Sequence, residues 1–270
     1  MKPRFSVVVC SIEPTRLAEC IGAYDRAFAG EAFQVIRIED ASSLAEGYNR
    51  GMASAQGEFV VFTHDDAWPI SDGVADRLAA HLAVCDIVGV AGATLAMNGF
   101  WGYCGQPHTH GHVVTPAAGS TLVDALVWGA ETPRILGAKL LDGCFIAARR
   151  SVAADLRFDA ATFDGFHLYD SDFALRAHAA GLAVAVVADV TVFHRSIGDF
   201  GLKWQRFHEK FLAHHRSLLD TVPPRPCRVA RIGFRNLVEA AQGITPEKIF
   251  SLTPRLRGHG DGTRISGATI

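Results

Sequence analysis

The first 96 residues alternate between short apolar runs and stretches with helical periodicity, and this alternation restricts the fold of the 270-residue chain more than any other feature. Apolar, β-branched runs predict strands at 5–10, 33–38, 58–63 and 86–96. Helix patterns lie between them at 14–28, 42–55 and 72–84, with the Ser42-Ser43 pair expected to cap the second and Asp72 the third. Strands and helices in this order predict an α/β fold with a mostly parallel sheet flanked by helices.

Polar clusters follow three of these predicted strands. They are Ser11 to Glu13, Glu39-Asp40 and His64 to Asp66. Parallel sheets bind ligands at the carboxyl ends of their strands, so these clusters are candidate binding residues. The alternative is that water solvates them as ordinary polar caps on strand ends, and the sequence leaves both interpretations open.

The second half of the chain has a different pattern. Residues 98–134 are rich in Gly, His, Trp and Thr without a clear period and predict a long irregular segment. Regular patterns return with strands at 141–148 and 182–193, the second ending at His194, and with helices from Asp170 and from Leu202.

The proline-rich stretch Val222 to Pro226 predicts a boundary near residue 220. We expect a main domain at 1–220, with halves 1–96 and 97–220. A C-terminal extension at 221–270 is expected to form a helical tail that becomes flexible beyond about 253, where Gly and Arg dominate.

Charge and hydropathy exclude several classes of protein. The formal charge of -2 and the pI near 6.6 give no sign of a nucleic-acid partner. No apolar run approaches the roughly 18 residues that a membrane span requires, and the N-terminus lacks a signal-peptide core, so we expect a cytoplasmic protein. The six cysteines contain no C-x-x-C pair and are expected to be reduced thiols.

Two weaker motifs have competing interpretations. His108, His110 and His112 alternate, which on an extended segment places them on one face, as a metal site or, the interpretation we favour, as polar pocket lining. The glycine-rich stretch Gly258 to Gly262 superficially suggests a phosphate cradle, but no strand precedes it and no helix follows, so it is expected to be tail.

Five blocks, taken in order and spacing, resemble the family 2 glycosyltransferases of the GT-A fold, in the nucleotide-diphospho-sugar transferase superfamily. The resemblance covers about residues 5–204. The blocks are SLAEGYNRG at 43–51, VVFTHDD at 60–66, LDGCFIAARR at 141–150, GFHLYDSDFALR at 165–176 and VFH at 192–194.

This resemblance implies a GT-A, Rossmann-like fold and an inverting transfer of a sugar from a nucleoside-diphosphate sugar, of UDP type, to an acceptor hydroxyl. It implies bacterial-type polysaccharide or glycoconjugate synthesis as the setting. Asp170 would be the general base, and Asp66 and His194 would hold a divalent metal, Mn²⁺ or Mg²⁺. The residues expected to contact the donor are Ser11, Glu13, Asp40, Asn49, Asp65, Asp142, Gly143 and Trp204.

The chain departs from the family pattern at two positions. The usual D-x-D reads His64-Asp65-Asp66, and the usual E-D pair reads Tyr169-Asp170. A non-catalytic nucleotide-sugar-binding or scaffold protein with a degenerate site is therefore the alternative. A nucleotidyltransferase is disfavoured because the first strand is followed by SIEPTR and not by a glycine-rich loop.

Two further expectations concern the acceptor side. Asp170 and Asp172 are two residues apart on one helix and point about 200° apart, so we expect only Asp170 to face the pocket and Asp172 to cap backbone N–H groups. Trp101, Tyr103 and Trp128 are expected to stack on a sugar ring, with core packing as an equal alternative.

Overall fold

The computed structural model describes residues 2–257 except 197 and 199. The strands in chain order are β1 Phe5–Cys10, β2 Phe33–Ile38, β3 Phe59–His64, β4 Ala67–Pro69, β5 Ile87–Gly89, β6 Ala91–Ala93, β7 Thr109–Pro116, β8 Val123–Gly129, β9 Arg134–Leu136, β10 Leu140–Leu141, β11 Phe145–Arg149, β12 Val184–Val187, β13 Val192–His194 and β14 Ala230–Phe234. The helices are α1 Pro14–Ala27, α2 Leu44–Ser54, α3 Val74–Leu82, α4 Arg150–Leu156, α5 Tyr169–Ala179, α6 Leu202–His214, α7 Leu237–Gly243 and α8 Pro246–Arg257.

The main sheet has the strand order β2-β1-β3-β11-β5-β12-β9. Strand β1 is parallel to both β2 and β3, as predicted. Strand β11 lies antiparallel between β3 and β5, so the sheet is mixed and less parallel than expected. The sequence pattern does not reveal this because β11 belongs to the second half of the chain and inserts between two strands of the first half.

A second sheet has the order β10-β6-β7-β13-β4, and β8 joins it by pairing with β7. The predicted strand at 86–96 is split, since β5 lies in the first sheet and β6 in the second. Residues 98–134 are more regular than predicted and contain β7 and β8. Gly111 has a φ of 102° beside a bulge, which interrupts the alternation that would indicate a strand.

One of the two predicted helix caps is confirmed. Ser43 accepts a hydrogen bond from the Glu46 backbone at the start of α2, as predicted. Glu13, which was expected to contact the donor, caps α1. The prediction that Asp72 caps α3 is wrong. Gly73, with a φ of 63°, occupies the cap position without a side-chain hydrogen bond.

The C-terminal extension packs on the second sheet through residue 257. Strand β14 pairs antiparallel with β8, and Thr253 of α8 hydrogen-bonds both the N–H and the carbonyl of Ala130. Helix α8 therefore continues past the residue where flexibility was expected. The stretch Gly258 to Gly262 lies outside the described residues. None of the helices described combines the length and the apolar character needed to cross a bilayer.

Helix α2 lies close on β1 because it presents glycines to the strand. A Cβ atom on Gly51 would overlap the side chain of Val8, and one on Gly47 would overlap Cys10 and Ala41. Both glycines are buried, so a methyl group added at either position could not relieve the overlap by turning towards solvent.

We expect Gly51→Ala to lower the free energy of unfolding by about 1–3 kcal/mol, the usual cost of overpacking a core. Gly22→Ala on α1 is the matched control. Its new Cβ would meet only the Arg26 guanidinium at 3.7 Å, and alanine favours the helix by up to about 1 kcal/mol. Urea unfolding of both variants measures the difference, and an equal stability of the two would contradict the packing argument.

Candidate functional site

The site begins where β3 reverses into β4. Strand β3 ends at His64, the turn carries Asp65 and Asp66, and β4 pairs antiparallel with β13, matching Ala67 with His194. The Thr63 hydroxyl lies 3.0 Å from the carbonyl oxygen of Ala67 and 3.1 Å from that of Cys144 and shares its one hydrogen between them, which ties the reversal to the loop before β11. This pairing places three distant segments at one edge of the main sheet.

His64, Asp66 and His194 form a cluster at this edge. The ligand atoms of the three side chains all lie within 4.8 Å of one another. His64 Nδ1 is 3.3 Å from His194 Nε2, and His194 Nε2 is 3.5 Å from Asp66 Oδ1. The backbone N–H of Ser196 donates to Asp66 Oδ2 at 3.1 Å and holds the carboxylate.

The pKa values of the three side chains in the cluster are shifted in different directions. Burial, together with the neighbouring charge of His194, lowers the pKa of His64 to about 4. Burial opposes the charged form of His194, but its hydrogen bond to Asp66 outweighs this and raises the pKa of His194. Burial likewise opposes ionisation of Asp66, yet His194 holds the Asp66 pKa well below its usual value. An ionised carboxylate and imidazole nitrogens are the donors that a divalent transition ion takes, so the residues fit such an ion.

Asp170 lies at the start of α5, next to Asp142. Its Oδ2 accepts a hydrogen bond from the Gly143 backbone N–H at 2.6 Å, and a Cβ at Gly143 would overlap both Asp170 and Tyr169. Burial and the charge of Asp142 raise the pKa of Asp170 to about 7. Asp142 is itself held by the indole N–H of Trp101 at 3.0 Å and by the Cys144 N–H. A carboxyl group tuned to this range suits a general base.

Two cavities meet at the His64 cluster. The first, of about 400 Å³, is lined by Asp142, Gly143, Asp170 and several aromatic rings. The second, of about 340 Å³, lies over the ends of β1 and β3. The residues that line both are His64, Phe166 and Ser196. A ligand that filled both cavities would therefore pass directly beside the cluster.

Most of the predicted donor-contact residues line one of these cavities. Ser11 and Asp65 line the second, where Ser11 Oγ donates to Asp65 at 2.6 Å. Asp142, Gly143 and Trp204 line the first.

The structure brings the other three predicted residues into neither cavity. Glu13 accepts hydrogen bonds from the Thr15 and Arg16 backbone as the α1 cap. Asp40 is exposed and pairs with Arg50 at 2.6 Å. The Asn49 side chain donates to the carbonyl of Phe158 and accepts from its N–H, which connects α2 to the segment after α4.

Sequence reasoning missed Arg16, Ser196 and Phe166. Arg16 lines the second cavity, with its guanidinium 3.5 Å from Asp65 Oδ1. Its position on the first turn of the helix after β1 is the signal that would have found it, since that turn faces the carboxyl ends of the strands. Ser196 lies two residues after His194, and nothing in its local sequence marks it.

Of the aromatic and histidine residues that were predicted to line a pocket, two tryptophans do so and the other four residues do not. Trp101 and Trp128 line the first cavity with rings 4.7 Å apart, whereas Tyr103 is exposed and lines neither cavity. The three alternating histidines do not line these cavities or form a metal-binding group within the part of the chain that the structure describes. The bulge at Gly111 breaks their alternation, and His112 contacts Thr191 at 2.9 Å.

The profile of the glycosyltransferase like family matches residues 6–215. Among curated proteins, none matches the chain. The mannosyltransferase PcManGT from Pyrobaculum calidifontis, solved with GDP-Man and Mn²⁺, is similar in fold, with a TM-score of 0.50 and 14% identity over 95% of this chain and 72% of its own. TarS 1-349 from S. aureus, solved with UDP-GlcNAc, has a TM-score of 0.42 and 14% identity over 81% of this chain and 70% of its own. GalNAc-T7, solved with UDP, GalNAc and Mn²⁺, has a TM-score of 0.46 and 12% identity over 78% of this chain and 48% of its own.

The mixed α/β architecture is that of the GT-A glycosyltransferases, which confirms the predicted fold class. The chain belongs to the glycosyltransferase like family and is an enzyme of the glycosyltransferase class.

Asp172 is fully buried and lines neither cavity. Its carboxylate accepts hydrogen bonds from Arg176 at 2.7 and 2.9 Å and contacts His215 Nε2 at 2.9 Å. It therefore joins α5 to the end of α6, in place of the helix-capping role that we expected.

We expect Asp172→Asn to lower the free energy of unfolding by roughly 3 kcal/mol, because it leaves Arg176 without its charged partner. Asp164→Asn is the matched control, since the Asp164–Lys210 pair is solvent-accessible and its loss should cost less than about 1 kcal/mol. Chemical denaturation measures both. Loss of nucleotide binding at unchanged stability would show that Asp172 belongs to the site.

Proposed function

We propose that this enzyme is a metal-dependent inverting glycosyltransferase that moves a sugar from a UDP-type nucleotide sugar to a hydroxyl of a glycan or glycoconjugate. The observation that carries the proposal is the position of Asp170. A carboxyl group with a pKa near 7 lines an aromatic cavity whose wall includes the His64 cluster, and a nucleotide-sized cavity adjoins the same cluster.

The second cavity is the proposed nucleotide site. The Ser11 hydroxyl and the Arg16 guanidinium both contact Asp65 there, and these contacts hold the two side chains at the edge of the sheet. The PcManGT structure contains GDP-Man and Mn²⁺, which is the class of donor and metal proposed for this chain. Asp66 and His194 are the proposed ligands, and a bound divalent ion would offset the charge that grows on the departing diphosphate.

The first cavity is the proposed site of sugar and acceptor. The rings of Trp101, Trp128 and Trp204 line it, and aromatic faces match the apolar C–H side of a sugar. The acceptor oxygen would attack the anomeric carbon from the face opposite the diphosphate, the bond from that carbon to phosphate oxygen would break, and Asp170 would take the hydroxyl proton. Gly143 holds the Asp170 carboxylate by its backbone N–H while this occurs.

We expect Asp66→Ala and His194→Ala each to weaken metal-dependent UDP binding by at least about tenfold, since each removes a proposed ligand. Asp164→Ala, which removes an exposed carboxylate that lines neither cavity, is the control. Calorimetric titration of UDP with and without Mn²⁺ is the measurement. Equal affinity of the unmodified protein for UDP in both conditions would remove the metal from the proposal.

Asp170→Asn should reduce transfer by roughly 10²- to 10⁴-fold with donor binding retained, because asparagine keeps the size of the side chain and loses its basicity. The ionised form of Asp170 is the base, so kcat/KM should rise as the pH rises through about 7. At saturating metal, which keeps the proposed ligand His194 unprotonated, the residual activity of Asp170→Asn should lack this rise.

Asp142→Asn tests the origin of that pH dependence. It removes the neighbouring negative charge, so the Asp170 pKa should fall and the rise in kcat/KM should move to lower pH. Near-normal transfer by Asp170→Asn, or a pH profile that Asp142→Asn leaves in place, would count against Asp170 as the base.

A further inference from the structure

The two residues that depart from the family pattern, His64 and Tyr169, are hydrogen-bonded to each other. His64 Nε2 is 2.8 Å from the Tyr169 hydroxyl oxygen, and that hydroxyl lies 3.2 Å from the carbonyl oxygen of Gly143. Tyr169 is fully buried, and its ring packs 5.7 Å from Tyr48 and 6.0 Å from Phe158. The hydroxyl is therefore fixed in place by the core.

The geometry of this chain determines which nitrogen of His64 carries its proton. A tyrosine hydroxyl has one hydrogen to donate. If Tyr169 donated it to His64, its oxygen and the Gly143 carbonyl oxygen would face each other at 3.2 Å in a buried place with no hydrogen between them. Tyr169 therefore donates to Gly143 and accepts from His64 Nε2–H. The lone pair of His64 is then on Nδ1, which faces His194 and Asp66.

The separations in the cluster suit ligands of a single ion. Two nitrogen ligands bound at about 2.0–2.1 Å each lie roughly 3.0–3.4 Å apart, depending on the coordination angle. His64 Nδ1 and His194 Nε2 are 3.3 Å apart, and His194 Nε2 and Asp66 Oδ1 are 3.5 Å apart. With His64 included, the donor set is two imidazoles and one carboxylate.

We propose that His64 is the third protein ligand of the metal, that Tyr169 positions it, and that this donor set makes the site select transition ions such as Mn²⁺ and Co²⁺ over Mg²⁺. Mg²⁺ takes oxygen ligands, whereas two imidazoles with a carboxylate suit transition ions. This inference rests on the proposed function, from which it takes the metal, and it narrows the choice between Mn²⁺ and Mg²⁺.

The hydrogen bond from Tyr169, whose ring is fixed by core packing, would orient the imidazole of His64 as a metal ligand. A histidine ligand is oriented by the partner of its second nitrogen, and loss of such a partner usually costs about 10–100-fold in metal affinity. The same tyrosine lies against Gly143, whose N–H holds the carboxylate of Asp170. Tyr169 is thus a positioning residue, which acts on the metal site through His64.

Pulsed EPR of Mn²⁺ with UDP bound to the full chain tests the ligand assignment. The unmodified protein should show magnetic coupling to two imidazole nitrogens, and His64→Asp should show coupling to one. Calorimetry with UDP should give at least about tenfold tighter Mn²⁺ than Mg²⁺ binding, and His64→Asp should reduce this preference by strengthening the Mg²⁺ complex.

Tyr169→Phe and Tyr24→Phe form the matched pair for the positioning role. Both remove one hydroxyl from a fully buried ring, but among the contacts described only Tyr169 hydrogen-bonds His64, whereas the Tyr24 hydroxyl has no hydrogen-bond partner there. Tyr169→Phe should weaken Mn²⁺ binding about 10–100-fold, and Tyr24→Phe should leave it unchanged. Equal effects of the two variants would show a general packing role and overturn the assignment to Tyr169.

The outcomes also separate this inference from the proposed function. Metal-dependent UDP binding with coupling to one nitrogen, or with equal affinity for Mg²⁺ and Mn²⁺, would overturn the role of His64 and leave the transferase proposal in place. UDP binding that no metal affects would overturn both.

Discussion

Strand β3 is hydrogen-bonded on both sides, to β1 and to β11, and the turn and loop at the centre of the site depend on this pairing. It aligns Cys10 with His64 on one side and Phe145 with Thr63 on the other. The loop of Asp142 and Gly143 therefore lies beside the end of β3, and the immediate reversal into β4 brings in β13 with His194. The buried length of β3 thus anchors the turn that carries Asp65 and Asp66 at the edge of the sheet.

The same edge holds two carboxylates in opposite electrostatic states. Asp66 lies beside His194, which favours its ionised form, whereas burial and Asp142 disfavour ionisation of Asp170. Such a division between neighbouring acids is a usual way to assign different chemical roles to the same residue type. It also has a cost, since a carboxyl group whose pKa is raised in the folded state destabilises the fold as the pH rises towards that value.

Much of the structure of residues 1–96 was predictable because its signals are local. The apolar runs of β1, β2 and β3 and the Ser43 cap can be recognised within a few residues. In the rest of the chain, His194 and Asp170 were predicted as site residues, as Asp66 was, from strand ends, a helix start and the family resemblance, and all three line the two cavities. Side-chain direction was not predictable. Glu13 and Asp40 follow strands as Asp65 does, but one caps its own helix and the other pairs with Arg50. The hydrogen bond between His64 and Tyr169 spans 105 positions and has no local signal.

The pairing of β14 with β8 has a consequence for the solubility of the enzyme. Strand β8 alternates buried and half-buried residues, and its face carries Leu126 and Trp128 into the first cavity. Without β14, one side of β8 would present a row of unpaired amide and carbonyl groups, the kind of open edge on which chains aggregate. The extension after residue 220 thus protects an edge strand. Arg231 of β14 is paired in register with Leu126 and forms an ion pair with Asp124 at 3.6 Å, and it adds a charge of the type that discourages further strand addition.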